Sequence, residues 1–159
     1  MTKDGDDLRT TARGLWKDGE AVLDAAVVLI QWAGSNNAEQ MRLFMPTYFL
    51  LGHGIEVVLK SVLRAHGSSL EELRKDLGHN LERAANRVVK LNIDRLSSFV
   101  ASNARLVQML NPYYSAKAFE YRETGSMSPP PTEKLAEFLS QLLKLSVPRP
   151  KRSTPRQPA

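Results

Sequence analysis

The sequence predicts an all-α protein: a single domain folded as a bundle of about four to six helices. Three observations predict it. Apolar residues recur at steps of three, four and seven almost throughout, Gly-, Asn- and Ser-rich breaks separate these runs, and no stretch of strand length alternates with a period of two. A chain of 159 residues suits one domain, and a 42% hydrophobic fraction excludes a wholly disordered polymer.

The first helix is read from Leu8, Ala12, Leu15, Val22, Ala26, Leu29 and Ala33, with Trp16, Leu23, Val27 and Ile30 as a second stripe beside them. Two adjacent stripes make a wide buried face. Gly34-Ser35-Asn36-Asn37 then supplies C-cap and turn chemistry. A second helix is expected over residues 38–66, with Gly67 as its stop. Pro46 falls in its early turns and offers Thr47 as an alternative start, because a prolyl ring opposes the preceding turn.

Ser69 followed three residues later by Glu72 reads as a capping box for a short helix over 70–76. Gly78 breaks it, and Asn80 can cap the next helix, 81–91. Another helix is expected over 94–110. Pro112, Gly125 and Pro129-Pro130-Pro131 mark residues 111–131 as a long loop. Thr132 is the expected cap of a final helix with Leu135, Phe138, Leu139, Leu142 and Leu143 on one face. The domain is assigned to residues 1–146, and residues 147–159 to a disordered basic, Pro-rich tail.

Charge and composition exclude several classes. The formal net charge is +5, but Arg149, Lys151, Arg152 and Arg156 in the tail account for all but one of those charges. A nearly neutral body lacks the basic footprint of a dedicated nucleic-acid binder, and the tail is either a weak phosphate ligand or a solubilising end. Zero cysteine excludes a disulfide framework and thiolate metal sites, and it suits a reducing cytosol. The acidic opening with Asp4, Asp6 and Asp7 has no secretory h-region, and the apolar run 25–30 is too short for a bilayer. A cytoplasmic protein with no membrane association is expected.

The second helix carries the candidate site. It is apolar nearly all round; His53, Glu56 and Lys60 interrupt that surface within about 60° of arc. Glu56 precedes Lys60 by one turn, the favourable order for an ion pair. The trio is either a structural pair fixing helix register or a polar pocket for a ligand or partner. No metal site is expected, since His53 and Glu56 lack the further carboxylates of a bundle di-metal centre. No cofactor is expected either: Gly52-His53-Gly54 lacks a third glycine and lies in a helical pattern, where small residues permit close helix packing. Aromatics in the 111–131 segment, Tyr113, Tyr114, Phe119 and Tyr121, stand near Lys117 and Arg122; they are lids over the bundle end or a platform on which a base stacks.

Gly54-Ile55-Glu56-Val57-Val58-Leu59-Lys60, then Gly78-His79-Asn80-Leu81, then Leu110-Asn111-Pro112-Tyr113-Tyr114 together resemble the HEPN domain (higher eukaryotes and prokaryotes nucleotide-binding). That family has a Glu-x-x-x-Lys on its second helix, a His-Asn-Leu or His-Asp-Leu opening a later one, and a Leu-Asn-x-Tyr-Tyr before its last. Its Arg-Tyr-Pro loop is replaced here by Phe119-Glu120-Tyr121-Arg122-Glu123. The resemblance implies an up-and-down helical bundle that pairs into a homodimer through part of the second or last helix. It also implies a minimal nucleotidyltransferase partner in a toxin–antitoxin module, and a nucleotide or RNA ligand. Some members are metal-independent ribonucleases with an Arg and a His a few residues apart, and Arg74 and His79 fit that spacing. In that alternative Arg74 neutralises a scissile phosphate and His79 moves protons. The first expectation is a non-catalytic binding module using Glu56, Lys60, His53, Tyr113, Tyr114, Tyr121 and Arg122.

Overall fold

The computed structural model describes residues 10–121 and 125–148. Leu8 and the acidic opening, Arg122, and residues 149–159 of the basic tail lie outside the described residues. The described chain is all-helical, with no strand.

Helix α1 spans Ala12–Ala33, capped by Thr11, whose side chain accepts from the Gly14 amide. Helix α2 spans Asn37–Ala65 and is capped by Asn36. The short turn between them makes an antiparallel hairpin, the longest pairing in the molecule. Close approach is built into the contact. A Cβ on Gly19 would lie 2.3 Å from a Val58 methyl, and one on Gly54 would lie 2.5 Å from Leu139, so these glycines let the helix surfaces touch, as the sequence suggested for Gly54.

The capping box forms as read: Ser69 accepts from the Glu72 amide, and Glu72 reaches back to the Ser69 amide. It opens α3, only Leu70–Glu72, which continues as a π-helical turn over Leu73–Leu77 rather than an ordinary helix to residue 76. Gly78 ends this segment at a positive φ of 52°. Helix α4 (Leu81–Lys90) follows, then α5 (Asp94–Ser102), α6 (Ala104–Ser115) and α7 (Thr132–Leu145).

Four expectations are corrected. Helix α2 does not start at Thr47 but runs unbroken through Pro46. Both Pro46 and Arg42, four residues before it, are exposed, so the carbonyl that loses its amide partner can bond water. The expected helix 94–110 is two helices divided at Asn103, which raises the six helices read from the sequence to seven α-helical segments among the described residues. Residues 111–115 are not loop: α6 continues through exposed Pro112 to Ser115 for the same reason. Thr132 is the first helical residue of α7 rather than its cap; Pro131 holds the cap position and no side chain bonds the helix start.

The core lies between these rods. Leu51, Ile55, Val58 and Leu59 of α2 are fully buried, as are Leu135, Leu139 and Leu142 of α7. Helix α7 packs on both α1 and α2, while α4 packs on another side of α2 and against α5 and α6. The α7 stripe read from the sequence is wholly internal, at 5% exposure or less for all five residues. Trp16 ties α1 to the end of α7 by donating its indole N–H to the Leu143 carbonyl at 3.1 Å.

Candidate functional site

Glu56 is the only carboxylate among the described residues that is buried, at 4% exposure. It sits mid-way along α2, on the side facing the 78–80 turn and α6. One carboxylate oxygen accepts from the Lys60 ammonium, one turn later on the same helix. The other accepts from the Tyr114 hydroxyl at 2.5 Å and from His79 Nδ1 at 3.1 Å. Lys60 also donates to the Gly78 carbonyl at 2.7 Å. One ion pair on α2 therefore reaches two further segments far apart in sequence.

The local fold explains each placement. Positive φ at Gly78 turns the chain so that its carbonyl meets Lys60 and the following imidazole meets Glu56. Asn80 caps α4, its side chain accepting from the Arg83 amide at 2.8 Å. Asn111 on α6 accepts from the Leu81 amide at 2.8 Å, so the start of α4 is satisfied by side chains rather than left open to an anion. Tyr114 follows Asn111 by three residues and shares its face of α6. Its ring lies on Gly52, where a Cβ would come within 2.3 Å of it.

Electrostatics fit a locked clasp. Burial alone pushes the Glu56 carboxyl up; the hydrogen bonds from Lys60 and Tyr114, the Lys60 charge and the His79 contact outweigh it, leaving the group below the usual glutamate range. Tyr114 moves the other way. Burial, then the Glu56 charge and the bond to it, hold the phenol protonated far above its usual range. An ionised carboxylate only accepts, so His79 Nδ1 carries the hydrogen, an assignment made from the network. Its ring stands edge-on to Tyr114, with centroids 6.3 Å apart, and its side chain remains half-exposed.

The remaining expected residues divide. His53 stays out of the clasp and stacks on Phe49 one turn before it, at 5.9 Å. Tyr113 belongs to the last turn of α6, its ring near Phe119 and its hydroxyl accepting from the Ser128 amide. Tyr48 and Phe119 stack within the same aromatic cluster, and Tyr48 donates to the Pro130 carbonyl at 2.7 Å. Burial raises the Tyr48 phenol to about 12. Of the aromatics read as a base platform, Tyr121 is exposed and Tyr114 is buried in the clasp. Arg74 is exposed on the π turn and borders a groove with Glu56 and Lys60; His79 is not among the residues lining that groove. The sequence named Tyr114 as a site candidate but placed it in a loop, and it missed Asn111. The signal was present, since Val107, Leu110 and Tyr114 continue the three-and-four step through Pro112.

No helix among the described residues is long and apolar enough to cross a membrane. Comparison with family models, with curated proteins and with solved structures found no match to this chain. The fold and the clasp define a helical-bundle protein with a buried Glu–Lys–Tyr–His centre.

Proposed function

We propose that this chain is a non-catalytic helical binding module of the HEPN type, acting as a homodimer and as the partner of a minimal nucleotidyltransferase, with a nucleotide or RNA ligand. The observation that carries the reading is the convergence on Glu56. Lys60, the Gly78-His79 pair and Tyr114 come from the three motifs on which the resemblance rests, and each bonds the same ion pair. Both Glu56 oxygens are engaged, so the centre favours holding a surface in shape over proton transfer by the carboxylate. Part of the second helix can still serve a dimer: Met41 on α2, with Val28 and Trp32 on α1, is exposed and apolar, whereas the α7 stripe is consumed inside the chain.

The test is an RNA-cleavage assay on the purified chain beside light scattering at micromolar concentration. No cleavage above the level of His79→Ala, together with a dimeric mass, is expected. A strict monomer or cleavage abolished by His79→Ala overturns the reading.

One observation favours the alternative, a metal-independent endoribonuclease using Arg74 and His79. Glu56 holds His79 Nδ1 while the ring stays half-exposed, the way a carboxylate orients a catalytic imidazole. Growth arrest on expression in a bacterial host, relieved by either Arg74→Ala or His79→Ala, is the outcome that reading requires.

A further inference from the structure

The groove that Arg74 borders has a composition that the clasp does not explain. It holds about 450 Å³ between α1, α2 and the α3–π segment. Val57 and Leu73, 7% and 2% exposed, form its floor, and half-buried Leu15 and Leu70 form its walls. Among the described residues no aromatic side chain lines it, so these offer a flat base nothing to stack on.

Among the described residues its charges are one acid and two bases. Glu56 and Lys60 neutralise one another, which leaves the Arg74 guanidinium as the uncompensated charge. Arg74 has no side-chain hydrogen bond or ion pair among the described residues, unlike neighbouring Lys75, which pairs with Glu71. It stands on the π-helical turn Leu73–Leu77. Such turns are rare and recur at functional positions because the wider ring re-aims the residues on it.

We infer that this groove binds a small aliphatic carboxylate, with the hydrocarbon over Val57 and Leu73 and the carboxylate on Arg74. An apolar trough of this size bordered by one cation is the arrangement small-molecule sites share. The guanidinium fork matches a carboxylate in two parallel hydrogen bonds, whereas an uncharged alcohol can satisfy only part of it. Binding here needs neither a partner protein nor a nucleotide.

Calorimetric titration of the full chain with sodium octanoate, and separately with octanol, tests it. Saturable one-to-one octanoate binding in the millimolar range or tighter is expected, with octanol weaker by about tenfold. Arg74→Ala, an exposed change that should leave the urea midpoint in place, weakens octanoate by about tenfold, and Arg74→Lys recovers part of the loss. Octanoate-induced amide shifts centre on Leu15, Val57, Leu70 and Arg74. Equal binding by wild type and Arg74→Ala, equal binding of octanol, shifts centred elsewhere, or no saturation up to about 10 mM overturns the inference.

Discussion

The hydroxyl of Tyr114 donates to the buried carboxylate of Glu56 at 2.5 Å, joining α2 to α6 across 58 positions of sequence. The bond spans the two elements that enclose the 78–80 turn. It also fixes the second Glu56 oxygen at the point where His79 reaches it.

Tyr114→Phe keeps the ring on Gly52 and removes only this donor. A hydrogen bond to a charged group of this kind is worth about 1.5–3 kcal/mol, because the carboxylate left behind stays out of water. The urea midpoint is expected to fall accordingly with an unchanged slope. An unchanged midpoint would place the hydroxyl away from Glu56.

Acid should weaken the same link. The Glu56 carboxyl lies below its ordinary range in the fold, so its ionised form favours the folded state. That contribution is complete above the unfolded-chain value of about 4.3 and is lost as pH falls through the lower folded value. Wild-type stability should therefore drop more steeply than that of Glu56→Gln on going below about pH 5. The half-buried Glu39 and Glu72, also lowered, titrate alike in both proteins and cancel from the comparison. Parallel pH profiles would contradict the assignment.

Much of this was legible in the sequence. The α7 stripe, the Ser69–Glu72 capping box, the Asn80 cap and the one-turn Glu56–Lys60 pair all follow from local periodicity and short-range bonding. Two prolines hid the rest. Pro46 and Pro112 are local break signals, yet their exposure lets water take the freed carbonyls. Reading Pro112 as the start of a loop removed Tyr114 from any helix face and with it the clasp. The Tyr114–Glu56 contact depends on how α6 docks, which no window of neighbouring residues encodes.

Pro46→Ala tests that explanation. Inside a continuous helix, alanine restores an amide donor and relieves the ring clash, and a gain of about 1–3 kcal/mol is expected. Chemical denaturation measures it. A loss of stability would mean that the chain needs a break there.

Gly52→Ala should behave in the opposite way. In an unencumbered helix this change gains up to about 1 kcal/mol. Here the new methyl meets the Tyr114 ring at 2.3 Å, and overpacking is expected to cost about 1–3 kcal/mol and to shift the Tyr114 resonances. A stabilised variant would refute the close approach.

The most direct measurement is a double-mutant cycle on Glu56→Gln and Tyr114→Phe, read by urea denaturation at neutral pH. Direct contact between the two side chains gives a coupling energy of about 1–3 kcal/mol. Additive effects, within about 0.5 kcal/mol, would show that Glu56 and Tyr114 do not meet.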